Sequence, residues 1–224
     1  MQNQEIQKNS PKFSIKESVK YGWQITMANF WFFVGIISVS LIISYAPAIL
    51  DKLVKADDPV LNFMNIVVQL IFWYLGMVIT LGLIKISLKF YDKEKVDFFD
   101  LFLSYPLFLK YLWSSIVYRL IVLGGLILLV IPGIIWAIKF QFYPYFIVEG
   151  KGPIEAIKLS GQITQGAKWH LFLLGLVLAL ICLAGLLALI IGTFVTMPLA
   201  LMAMAFVYRK LQSQVKDLES NKVS

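Results

Sequence analysis

Charge is scarce in this chain. Of its 224 residues, 15% are charged and 59% are hydrophobic, whereas soluble globular proteins carry about 25% and about 45–50%. With a mean hydropathy of +0.79, that shortage argues against a soluble domain. Cysteine and histidine are scarcer still, at one each. Cys182 lies inside an apolar run, has no partner for an internal disulfide and is read as a packing residue. His170 heads another apolar run beside Trp169 and is read as an interfacial side chain. Also missing are HExxH, GxSxG, a P-loop lysine motif, paired CxxC and a strand-linked GxGxxG. The expectation is a non-enzyme with no catalytic, metal-binding or cofactor-binding residues. The acids Asp92, Glu94, Asp97 and Asp100 are read as turn and helix-cap chemistry rather than a metal site.

The charge balance is basic, with a net charge of +7 and a pI of about 9.4. A nucleic-acid partner would need those charges gathered on one face or tail, and here they are parcelled out between apolar segments. The polar first 29 residues hold no short apolar core followed by a small-residue cleavage site, so no cleaved signal peptide is expected.

What the chain has in abundance is long apolar runs. A helix needs about 20 apolar residues to cross a hydrocarbon core of about 30 Å. Four runs meet that length, 29–50, 61–84, 107–131 and 169–192. Two shorter ones, 134–148 after Pro132-Gly133 and 194–208 after Gly192-Thr193, are read as the returning arms of hairpins. At 1.5 Å per residue each short arm rises only about 22 Å. Either flanking residues such as Arg209 and Lys210 extend the last arm by snorkelling, or the Pro132-Gly133 bend stops inside the membrane. The fold class is therefore an all-α membrane bundle of six spans paired as three hairpins. Residues 1–13 and 212–224 form polar tails around a single membrane domain at 14–211.

Counting Lys110 at the edge of the third span, sixteen of the 20 Lys and Arg fall before the first span, after the last, or between spans two and three and spans four and five. Lys52 and Lys55 fall on the opposite side with Asp51, Asp57, Asp58 and Pro59, an expected outer turn. Because basic residues concentrate in cytoplasmic loops, both termini are expected on the cytoplasmic face of a cell (inner) membrane. Trp31, Trp113, Trp169 and Tyr208 fall at the inner ends, where amphipathic rings favour the headgroup layer.

Two polar segments repeat. ESVKYGWQIT at 17–26 and EAIKLSGQIT at 155–164 match at Glu17/Glu155, Lys20/Lys158, Gln24/Gln162, Ile25/Ile163 and Thr26/Thr164, and the same offset aligns Trp31 with Trp169. The spacing puts Glu, Lys and Gln on one stripe of a helix, with Tyr21 and Ile25, or Leu159 and Ile163, on an apolar flank. Each segment is read as an amphipathic helix at the inner interface. The stripe Glu17, Lys20, Gln24, Glu155, Lys158 and Gln162 meets either lipid headgroups or a partner protein. A weaker analogue, KEKVDFFDLFLSYP, precedes the third span, so the chain reads as three parallel units.

The runs LIKISLKFYDKEKVDFFDLF, LVIPGIIWAIKFQFYPYFIVEGKGPIEAIKLSGQITQGAKW and MPLALMAMAFVYRKL resemble a prokaryotic family of six-helix membrane proteins of unknown function, related to the membrane domain beside some glycerophosphodiester phosphodiesterases. The similar features are Pro132-Gly133, Tyr143 to Glu149, Glu155-Ala156 to Gly166, and Pro198 to Tyr208. The resemblance implies the fold and a bacterial or archaeal membrane, and it brings no catalytic residue, since the phosphodiesterase domain is absent.

Two charges lie within spans. Arg119 in span three and Lys139 in span four each cost about 2.5–3.5 kcal/mol at a span centre. Structurally, Arg119 could bond Tyr118, Gln141 or a carbonyl freed near Pro132, while Lys139 could reach the outer headgroups. Functionally, Arg119, Lys139, Gln141, Tyr143 and Glu149 could form one polar cleft for an anionic group such as a lipid phosphate. Small residues at Ala184, Ala188 and Gly192 suggest close helix packing, and Met197, Met202 and Met204 are read as packing. Two function classes follow: non-enzymatic binding or transport of an amphipathic, anionic, lipid-like molecule, or a scaffold recruiting a partner protein through its interfacial helices. No nucleic-acid partner is expected, and the identity of a protein partner is left open.

Overall fold

Where the solvent offers no hydrogen bonds, the backbone must satisfy itself, and a continuous apolar chain does so as helix. In the computed structural model, which describes residues 13–53, 59–188 and 192–223, every regular element among the described residues is helical. In order these are α1 (Ile15–Ala28), α2 (Phe30–Leu53), α3 (Pro59–Tyr91), two 3-10 turns (Phe98–Leu101 and Tyr105–Leu107), α4 (Phe108–Leu128), α5 (Val130–Phe140), α6 (Tyr143–Val148), α7 (Pro153–Ile163), α8 (Lys168–Leu187) and α9 (Thr193–Val223). Six stretches among the described residues are long and apolar enough to cross a membrane: Phe30–Lys52, Pro59–Tyr91, Phe98–Leu128, Val130–Val148, Lys168–Leu187 and Thr193–Val215. The protein is a multi-pass helical membrane bundle.

Three antiparallel hairpins build it. In the first, Phe33 packs on Phe90 at one end and Asn65 donates to Asp51 at 2.9 Å at the other. In the second, the Tyr118 hydroxyl on α4 donates to the Ala137 carbonyl on α5 at 3.3 Å. In the third, Gly185 and Gly192 touch so closely that a Cβ on Gly192 would lie 2.3 Å from the Gly185 carbonyl oxygen. Gly192 of the small-residue stripe thus makes a close approach, and its partner is Gly185. Asp57 and Asp58 lie outside the described residues, and Pro59 opens α3.

Several boundaries differ from the hydropathy pattern, each for a local reason. The second hairpin reverses at Leu129, which is extended at φ −166 and ψ 148, not at Pro132-Gly133. Pro132 instead sits in the first turn of α5, where amides have no intrahelical acceptor and a missing N–H costs little. The fourth span is broken at Gln141-Phe142 into α5 and α6. Span six is not short, because α9 continues through the tail to Val223, and Arg209 is held in ion pairs instead of snorkelling. Tyr208 is fully buried, so it is no part of an aromatic belt, while Trp31, Trp113 and Trp169 are exposed. The segment before α4 forms 3-10 turns, with Asp97 capping through a 2.8 Å bond from the Phe99 amide and Asp100 bound to Lys89 at 2.7 Å.

The two repeated segments are both short helices directly before a span. α1 buries Ser18, Gly22 and Thr26 and lies along α9, whereas α7 buries Ala156, Ser160 and Thr164 against the second hairpin. Tyr21 packs on Tyr91 and Phe206, and that burial, with Tyr91 and Asp92 nearby, pushes its phenol up to about 12.

Candidate functional site

The break at Gln141-Phe142 shapes the site. Ending a helix inside an apolar bundle orphans its last carbonyls and the next amides, and they must find partners. Ser160 on α7 supplies both, donating from its hydroxyl to the Lys139 carbonyl at 3.2 Å and accepting from the Phe142 amide at 3.0 Å. The Thr164 hydroxyl reaches the same Lys139 carbonyl at 2.8 Å. α7 is therefore held crosswise against the last turn of α5. Gly161 sits where the two helices meet, with a would-be Cβ only 3.2 Å from Lys139 Cε.

This crossing brings Lys139 of α5 beside Lys158 and Gln162 of α7, with Gln165 and Lys168 from the turn into α8. Together they line a cavity of about 500 Å³. Three lysines line it and, among the described residues, no acidic residue does. Lys139 lies over the Phe140 ring at 5.0 Å, and its position in the last turn of α5 suits the negative end of the helix dipole. Glu155, the acid of α7, is turned away to Lys151 at 3.1 Å. That bond, with the Gly152 amide, holds its carboxyl below the usual carboxylate range.

Lys168 also stands at the mouth of a second cavity, of about 460 Å³, between α5 and α8. Its walls are Ile131, Ile134, Ile135, Ile138, Trp169 and Phe172. A cationic pocket thus opens beside an apolar groove running about 10 Å along α5. Such an arrangement can hold an oxyanion by charge-assisted hydrogen bonds and an attached hydrocarbon by burial.

The residues expected to share one cleft are dispersed. Lys139 faces Lys158 and Lys168 rather than outer headgroups. Arg119 lines a different cleft, against α2 and α3, and bonds neither Tyr118 nor Gln141. The Tyr143 hydroxyl pairs with Ser115 at 2.9 Å inside the second hairpin. The Gln141 amide nitrogen is buried without a partner among the described residues. Glu149 binds Arg209, the Tyr208 hydroxyl at 2.7 Å and Gln212 at 2.8 Å. The proposed stripe divides too: Lys158 and Gln162 line the pocket, while Glu17, Lys20 and Gln24 stay exposed on α1. Lys168 and Gln165 had no distinctive signal beyond their place next to the repeat. No group of three or more His, Cys, Asp or Glu that could hold a metal ion occurs among the described residues.

No curated protein and no solved structure matches this chain. Residues 21–220 match a domain of unknown function, DUF7847. With its six membrane-competent helices and a match across nearly its whole length, the chain belongs to that family.

Proposed function

We propose that this protein binds, without enzymatic turnover, an anionic amphiphile whose phosphate sits among Lys139, Lys158 and Lys168 and whose hydrocarbon lies in the α5–α8 groove. The observation that carries this reading is Lys168, which lines both the cationic pocket and the apolar groove. Three uncompensated lysines repel one another, and a phosphate relieves that repulsion while accepting from Gln162. Lipid is favoured over a docked protein because the groove is apolar along its length and two members of the repeated stripe turn into the pocket.

The same reading puts the pocket on the cytoplasmic face of the cell membrane, in keeping with the basic residues around α1, α7 and the ends of α3 and α9. It treats the α1 and α7 segments as copies of one ancestral unit, supported by their shared identities and by burial at matching positions. It also retains the kinship with the membrane domain beside glycerophosphodiester phosphodiesterases, for which the Pro132 to Gly166 motifs are the support.

The test is lipid capture. Protein with Lys139→Gln, Lys158→Gln and Lys168→Gln, and the unaltered protein, are incubated with phosphatidylcholine vesicles doped with phosphatidic acid, and bound lipid is counted by native mass spectrometry. The substitutions should lower phosphatidic acid occupancy by roughly tenfold or more and leave phosphatidylcholine unchanged. Equal occupancy sinks the proposal. Displacement of the lipid by inorganic phosphate alone would assign the pocket to free phosphate instead.

A further inference from the structure

Another cavity, of about 450 Å³, lies between α2, α3 and α4, and Arg119 is the only cation in its lining. Arg119 stands about 16 Å along α4 from Phe108 and about 14 Å from Leu128, so it is near mid-span. Among the described residues it makes no hydrogen bond and no ion pair. Its guanidinium carries five donors and a charge that cannot be shed. Among the described residues of α2 and α3 the one acid, Asp51, is already engaged by Asn65 at 2.9 Å and Gln69 at 3.3 Å. Around Arg119 the cleft presents Ser44, Gln69, Thr80 and Tyr111, and the Trp73 ring forms part of its apolar wall. The Thr80 hydroxyl spends its proton on the Gly76 carbonyl at 2.8 Å, so Arg119 remains the strong donor.

We infer that this cleft is an intramembrane binding site for a fatty carboxylate, whose head forms a two-point bond with Arg119 and whose chain lies against Phe72, Trp73 and Met77. A planar fork of N–H groups matches a carboxylate at two points. At mid-span depth a singly charged carboxylate loses less hydration than a doubly charged phosphate. This site shares no lining residue with the lysine pocket, so the two stand or fall separately.

Trp73 reports occupancy directly. The protein in phosphatidylcholine nanodiscs is titrated with 11,12-dibromododecanoate, whose bromines quench tryptophan on contact, and with its methyl ester as the uncharged control. Saturable quenching is expected from the acid, with its amplitude reduced in Trp73→Phe and its half-point weakened roughly tenfold or more in Arg119→Leu. Arg119→Lys should retain part of the affinity, which separates lost recognition from lost folding. In a Trp169→Phe background, which silences the groove beside the lysine pocket, the Lys139, Lys158 and Lys168 substitutions should leave the Trp73-dependent quenching unchanged. Quenching by the ester equal to that by the acid, or an unshifted half-point in both Arg119 variants, overturns the inference.

Discussion

At the scale of single residues, Arg209 does most to unite the bundle. It lies on α9, yet its side chain reaches Asp92 beyond α3, 117 residues away, and Glu149 beyond α6, 60 residues away. These three residues mark the open ends of the three hairpins, so one guanidinium ties all of them. Gln212 and the Tyr208 hydroxyl complete Glu149, and Arg209 itself is only 19% exposed. Removing the cation leaves two partly buried carboxylates without a counter-charge, a more costly state than losing the whole network. Arg209→Leu should cost about 2–4 kcal/mol, lowering the melting midpoint in detergent by on the order of 10 °C. Arg209→Lys should fall between, because an ammonium cannot fork to two carboxylates. Replacing Asp92 and Glu149 with Leu in the Arg209→Leu background should recover part of the loss. A midpoint unchanged in Arg209→Leu would show that the node carries no stability.

At the scale of elements, close backbone approach decides where the helices meet the turns. Gly82 on α3 faces the Phe98–Leu101 turn so tightly that a Cβ would lie 2.0 Å from the Leu101 carbonyl oxygen, whereas Gly175 on α8 has nothing within 4 Å. The fixed backbone of that turn, clamped by Lys89 to Asp100, cannot yield cheaply. Gly82→Ala should therefore destabilise by about 1–3 kcal/mol, while Gly175→Ala should be neutral or stabilise by up to about 1 kcal/mol. Parallel thermal unfolding of the two variants checks the contrast, and similar midpoints would refute it. Spans such as 61–84 and 169–192 were legible in the sequence because hydropathy is a sum over neighbours and needs no knowledge of the fold. The break at Gln141-Phe142 was not, since it persists only because Ser160 and Thr164 return from α7 to satisfy it. Arg119, Lys139 and Glu149 stood out in the sequence as polar groups within or beside spans. Their separation into a cleft, a pocket and an ion-pair node depends on which helix each one faces, a long-range fact that local pattern does not hold.

At the scale of the whole molecule, the open question is orientation, and the scarcity of cysteine makes it measurable. Cys182 is half-buried with its thiol 3.8 Å from the Thr196 carbonyl, so Cys182→Ser should leave the bundle intact and give a thiol-free background. Lys20 on α1, Glu155 on α7 and Lys210 on α9 are exposed, as is Lys52 at the far end of α2. The hairpin pairing puts the first three at the end that holds the Arg209 node and Lys52 at the other. Basic residues are retained on the cytoplasmic side during insertion, and the Arg209 end carries most of them. A membrane-impermeant maleimide applied to intact cells should therefore label Lys52→Cys and spare Lys20→Cys, Glu155→Cys and Lys210→Cys, which should react only after the membrane is opened. The reverse pattern would invert the molecule and move the lysine pocket to the outer leaflet. A split among the three would contradict the hairpin arrangement itself, because Arg209, Asp92 and Glu149 can meet only if the open ends share one face.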